Sequence, residues 1–94
     1  MKYVAIYYRK ELAFDERERH WLTVEGSHVE LVGSDGYMPL QACTPGSALM
    51  EAVAFGEERN QRLDRGLSKV SIHCGTSHRD KGSVICQKEL RFCN

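Results

Sequence analysis

The sequence predicts an α+β fold, in which a mainly antiparallel sheet of five to six strands carries one helix, about residues 45–65, on one face. Segments rich in β-branched and aromatic residues lie on both sides of a single helical pattern. The chain has 94 residues, of which 41% are apolar. Because domains typically contain about 100–150 residues, we expect a single compact domain over residues 1–94.

The N-terminal third predicts three strands. Residues 2–8 are apolar on both faces, which is typical of a central strand. Residues 9–19 hold eight charged side chains in eleven positions, four of each sign, and are interpreted as a solvated connector. Residues 20–25 and 28–32 then read as two strands, joined by a Gly-Ser turn at 26–27.

The middle of the chain predicts a short strand and the helix. Residues 37–41 follow an Asp-Gly turn signal, and Pro39, which lacks an amide donor, restricts this segment to a sheet edge. Thr44 and Pro45 are a helix start, and Gly66 is its stop. One helical stripe carries Leu49, Ala52, Val53, Gly56, Asn60 and Leu63.

The C-terminal third predicts two further strands. Residues 69–74 alternate with Val70, Ile72 and Cys74 facing inward, and residues 75–82 form a polar loop. Residues 83–93 alternate again, except that Lys88 interrupts the inward row. That lysine indicates an edge strand or a bulge.

The N-terminus has too short an apolar run for a secretory signal, and no stretch approaches the roughly 20 apolar residues of a membrane span. We therefore expect a cytoplasmic protein with free thiols, without membrane association. Cys74 and His78 are the nearest approach to a nucleophile with a base, but His73, as a strand neighbour, faces away from Cys74. We expect no enzyme and no cofactor.

Net charge is zero overall but is segregated along the chain. Residues 20–50 contain no Lys or Arg and carry three carboxylates, whereas residues 66–94 have a net charge of +3. The prediction is an acidic docking surface for a protein partner. Its candidate residues are Glu25, Glu30, Asp35, Trp21 and Tyr37. The same opposition of charge predicts a homo-oligomer through acidic and basic surfaces.

These features favour a small non-catalytic binding protein that acts by occupying the surface of a protein or protein complex. In size and style the chain resembles the short accessory proteins of phages and mobile elements, among them anti-CRISPR proteins and other inhibitors of host defence. The resemblance implies an inhibitor of a host defence complex, and it assigns no role to any individual residue of this chain.

Two alternatives stay open. The first is a nucleic-acid or nucleotide binding module, whose basic C-terminal hairpin uses Lys69, Arg79, Lys81, Lys88 and Arg91. The second is a zinc-supported small domain, in which Cys74, His78 and Cys86 are the candidate ligands. The odd separation of Cys86 and Cys93 on an extended strand places them on opposite faces and weakens a four-ligand site.

Overall fold

A computed structural model describes residues 1–33, 36–63 and 66–91, without the side chain of Leu63. It confirms the predicted α+β architecture, with one helix against a curled antiparallel sheet of five strands. The elements are β1 (Tyr3–Asp15), β2 (His20–Glu30), β3 (Tyr37–Leu40), α1 (Pro45–Leu63), β4 (Leu67–Gly75) and β5 (Lys81–Glu89). No helix in the described ranges is long and apolar enough to cross a membrane.

The long strand β1 organises the sheet. The strand order is β2-β1-β4-β5, and β3 pairs with β1 on the same side as β2. Residues 3–6 of β1 pair with β3, and residues 8–15 pair with β2. On its other side β1 pairs with β4 only as far as Arg9. The first half of β1 is therefore central and apolar on both faces, as the sequence predicted, while its second half has one neighbour.

The helix begins and packs as predicted. The Thr44 hydroxyl accepts a hydrogen bond from the Ser47 amide at 3.3 Å, which caps the first turn. Four small or polar residues spaced four apart are buried against the sheet, namely Ala48, Ala52, Gly56 and Asn60. A Cβ at Gly56 would lie 2.9 Å from both Tyr7 and Leu90, so glycine permits the close approach.

Tyr7 joins the helix to the centre of the sheet. Its hydroxyl donates to the carbonyl of Ala52 at 2.8 Å, and its ring packs in the core beside Phe55. Burial raises the pKa of the Tyr7 phenol well above its ordinary value, and Glu51 adds to that rise. The neutral phenol is thereby the form that the folded protein keeps.

Residues 9–19 are not the solvated connector that their charge indicated. β1 continues to Asp15, and only residues 16–19 form a loop. The Asp15 carboxylate accepts hydrogen bonds from the amides of Arg17 and Glu18, and Arg19, at φ 56°, closes the turn through its amide to the Asp15 carbonyl. Both faces of an exposed two-stranded ribbon are in contact with water, so charged side chains on either face are compatible with a β-strand here.

The predicted turn at 26–27 is also wrong, because β2 runs unbroken from His20 to Glu30. Lys10 pairs with His28 and Leu12 pairs with Thr23, so four residues of β2, 24–27, lie opposite Glu11. Gly26 has φ 77°, a left-handed conformation that turns and bulges both use. The glycine signal was therefore real, but it marks a bulge.

The remaining boundaries differ by a few residues. The predicted loop 75–82 shortens to residues 76–80, and the predicted strand 83–93 is β5, which ends at Glu89. Within the ranges that the structure describes, β5 pairs only with β4 and β3 only with β1, which confirms both as edge strands. Asp35 and the predicted final strand residues 92–93 lie outside the described residues, as do helix positions 64–65.

Candidate functional site

A two-stranded arm projects from the sheet and is the first candidate site. We define the arm as residues 11–25: the end of β1, the loop 16–19 and the start of β2. Beyond Arg9, β1 has no partner but β2 among the described residues, so the arm is a ribbon with two open edges. The molecule measures 50 × 26 × 21 Å, consistent with such an elongated feature.

Large apolar side chains on the arm are exposed to solvent. Phe14 and Trp21 lie opposite each other across the two strands, and their rings meet edge to face with centroids 5.2 Å apart. They remain 43% and 64% exposed, and Leu12, on the same face, is 52% exposed, whereas Leu22 pairs with Ala13 on the other face and is 42% exposed. An exposed cluster of this size, with aromatic residues at its centre, is typical of a protein-binding surface.

The arm is acidic as well as apolar. It contains the five carboxylates of Glu11, Asp15, Glu16, Glu18 and Glu25, against the two cations of Arg17 and Arg19. The difference of five and two gives a net charge of −3. A surface complementary to the arm would be basic and would carry apolar groups.

The second candidate is the sheet face opposite the helix, which we call the concave face. Val4, Ile6, Ser71 and His73 lie on this face and are buried, by alternation with the core residues that face the helix. This second buried layer explains why β1 and β4 are apolar or shielded on both faces.

A polar network occupies the concave face. The Ser71 hydroxyl lies 2.7 Å from Nε2 of His73 and 3.2 Å from the Tyr8 hydroxyl, and Nδ1 of His73 lies 2.8 Å from the Gly82 carbonyl oxygen. Since a carbonyl only accepts, Nδ1 of His73 donates to the Gly82 carbonyl oxygen, and Nε2 is the ring nitrogen that faces the Ser71 hydroxyl. Ser71 and His73 are 1% and 3% exposed, so this serine–histidine pair is closed to a substrate and acts as a structural link.

Glu30 connects the two ends of the curled sheet. Its Oε1 lies 2.8 Å from Nδ1 of His78 and 3.3 Å from Nζ of Lys81, so β2 is bound to the loop before β5 and to its first residue. His28 lies 3.8 Å from Glu89 across the same face. Glu30, Lys81 and His78 were predicted from the sequence for protein docking, nucleic-acid binding and zinc binding, respectively. In the structure they lie together, and Glu30 contacts both of the others.

The predicted acidic docking residues separate in the structure. Glu25 and Trp21 lie on the arm and are exposed. Glu30 is paired internally, and Tyr37 is half-buried in a cleft of about 550 Å³ that His78 and Arg79 also line. Of the five residues, only Trp21 and Glu25 thus share the arm, and Asp35 is not described.

The five predicted nucleic-acid contacts do not share one face. Lys69 lies over the Tyr8 ring, 4.6 Å from its centroid, and Lys81 is held by Glu30. Lys88 pairs with Val70 and so lies on the helix side, opposite to Lys69. Arg79 and Arg91 are exposed. The dispersal gives no continuous basic track, and nucleic-acid binding stays a prediction.

The three predicted zinc ligands are not brought together. No group of three or more His, Cys, Asp or Glu residues in the described ranges is arranged to hold a metal ion. Cys74 lies with its sulfur 3.2 Å from that of Met1, His78 contacts Glu30, and Cys86 is in register with Ile72. Cys43, Cys74 and Cys86 are free thiols.

In comparisons with known proteins, no family model, no curated protein and no solved structure matches this chain.

Sequence reasoning identified Trp21 but missed the arm that carries it. The apolar residues Leu12 and Phe14 are two positions apart, which indicates a strand, but the charged residues around them are more typical of a loop. The concave-face network had a local signal too, since Ser71 and His73 are two apart on a strand and so share a face.

Proposed function

We propose that this protein is a non-catalytic binding protein that occupies the surface of a protein partner, and that the arm makes the contact. The observation that carries the proposal is the exposed Phe14–Trp21 pair, which lies on a ribbon whose two strands pair with no other strand in the described part of the chain. Aromatic residues supply much of the binding energy in protein interfaces because they bury a large area at a small cost in side-chain entropy.

The form of the arm supports the same proposal. An isolated two-stranded hairpin is only marginally stable in water, and open edges and exposed apolar residues are liabilities. Contact with a partner removes the apolar surface from water and pairs the open edges. The cost of keeping the arm exposed is then balanced by a function in binding.

A narrower proposal is inhibition of a host defence complex by a phage or mobile-element protein. It rests on resemblance in size and style, and the arm is compatible with it because insertion into a groove blocks that groove. Phage plating on a strain with an active CRISPR system tests it directly. Expression of the chain should restore plaques, and expression of a Trp21→Ser variant should not.

The general proposal is tested by comparative capture from the lysate of cells that naturally encode the chain. The full chain and a Phe14→Ser, Trp21→Ser double variant are immobilised, with Met50→Ser as the matched control. Met50 is 75% exposed and lies on the helix, away from the arm. We expect a partner protein to bind the full chain and the Met50 control, and to be lost with the double variant.

Both outcomes are interpretable because these side chains are exposed, so the variants keep the core. Far-UV circular dichroism checks that the double variant is folded. Capture of the same proteins by the double variant and the full chain would contradict the proposal. Loss of capture with the Met50 variant alone would move the binding site to the helix.

A further inference from the structure

The three edge strands of the sheet differ in how they are protected against pairing with another chain. β3 carries Pro39, and β5 carries Lys81 and Lys88. Proline and lysine are the residues that natural proteins place on edges to prevent strand addition. β2 contains no Lys, Arg or Pro between His20 and Glu30, so its outer edge lacks these guards.

The backbone of an open edge determines the form of its partner. Unpaired amide and carbonyl groups alternate along β2 and are best satisfied by another extended segment. The bulge at 24–27 interrupts regular geometry, so the regular part of the edge is residues 20–23. At about 3.3 Å per residue, this matches a short extended segment of about four residues.

The net charge of the arm determines which extended segments are attracted to it. The arm has a net charge of −3, and Glu25 is the charged residue in residues 20–25, the part of β2 that belongs to the arm. A second copy of this chain paired through β2 would bring a second arm with the same net charge of −3. A segment that carries Lys or Arg is attracted to the arm carboxylates, and its cations can also contact the exposed ring of Trp21.

We propose that the edge of β2 at residues 20–23 accepts, as an added strand, a short extended segment of the partner protein that alternates basic and apolar residues. The inference rests on the proposed function and adds to it the chemistry of the partner and the mode of recognition. Main-chain hydrogen bonds give the affinity, and the Lys or Arg side chains give the selectivity.

The test uses three labelled peptides with the full chain, measured by fluorescence anisotropy. The first alternates valine and lysine over eight residues, the second replaces each lysine by glutamate, and the third is the lysine peptide with every amide N-methylated. We expect saturable binding of the first, binding weaker by about fivefold or more for the second, and no binding of the third. N-methylation keeps the side chains and removes the hydrogen-bond donors.

Two matched variants locate the binding to β2. Thr23→Lys places a lysine on the exposed edge of the arm, and Ser83→Lys makes the same change on exposed β5. Thr23→Lys should weaken binding of the lysine peptide several-fold, because it adds both the guard residue and a like charge. Ser83→Lys should leave it within about twofold, because β5 is not the docking edge.

Equal binding of the lysine and glutamate peptides, or binding of the N-methylated peptide, would overturn the proposal. So would equal effects of the two lysine variants. Sedimentation without peptide supplies the remaining outcome, since a dimer that Thr23→Lys dissociates would make a second copy the occupant. Failure of the peptides, together with Trp21-dependent capture of a partner, would refute strand addition and leave the proposed function standing.

Discussion

Asn60 joins three elements at the end of the helix, and its replacement is the sharpest test of how the body of the fold is held. The side-chain amide donates to the carbonyls of Leu67 and Arg91 at 2.8 and 2.9 Å, and its oxygen accepts from the Leu67 amide at 2.7 Å. Asn60 is 1% exposed. One side chain therefore ties the helix to the start of β4 and to the segment that follows β5.

Asn60→Ala removes all three hydrogen bonds and leaves a small cavity. Leu67 is 2% exposed, so its amide and carbonyl lose their partner where water does not reach, whereas the carbonyl of exposed Arg91 can bind water. Two orphaned groups cost about 1–3 kcal/mol each, so with the cavity we expect the free energy of unfolding to fall by about 3–5 kcal/mol.

The assay is urea unfolding followed by far-UV circular dichroism. Trp21 fluorescence is a poor probe for it, because this sole tryptophan is already exposed in the folded state. Gln61→Ala changes the exposed neighbour of Asn60 and should alter stability by less than about 0.5 kcal/mol. A loss below about 1 kcal/mol for Asn60→Ala would refute the reasoning that this residue fastens the three elements.

Three further predictions concern the core and the concave face. Gly56→Ala should destabilise the protein by about 1–2 kcal/mol in urea unfolding, because the added methyl meets Tyr7 and Leu90, whereas Gly46→Ala, in open space, should be neutral or stabilising. Burial raises the pKa of Tyr7 in the folded state, so the neutral phenol contributes fully to the free energy of unfolding below about pH 10, and this contribution is lost at higher pH. Tyr7→Phe should therefore show a smaller loss of stability than the unmodified chain between about pH 8 and about pH 11, and an equal loss would contradict this. His73→Ala should lower the free energy of unfolding by about 2–4 kcal/mol, since it removes one of the two partners of the buried Ser71 hydroxyl and the donor to the Gly82 carbonyl, and leaves a cavity in this buried layer; a change below about 1 kcal/mol would show that the network is not structural.

The helix was predictable because its signals are local. Thr44 supplies the cap, and the small residues fall at helical spacing along a single stripe. The central part of β1 was predictable for a similar reason, since a strand buried on both faces is continuously apolar. Such patterns are set by neighbours in the sequence and survive without knowledge of the tertiary structure.

The arm was not predictable in the same way, because both faces of an isolated ribbon meet water. Glu11 and Leu12 are both exposed, so no burial pattern separates strand from loop. Gly26 adopts a positive φ that suits a turn as well as the bulge it forms. The contacts of Glu30 with His78 and Lys81 join residues about 50 positions apart, so no short-range sequence pattern predicts them.

Site-specific photo-crosslinking can show whether the arm is the surface that contacts the partner. A photoreactive phenylalanine analogue is placed at position 21 in one variant and at position 50 in another, and each is expressed in cells that naturally encode the chain. We expect a covalent adduct with one partner protein from position 21 and none from position 50. Adducts from position 50 alone, or identical adducts from both positions, would contradict it.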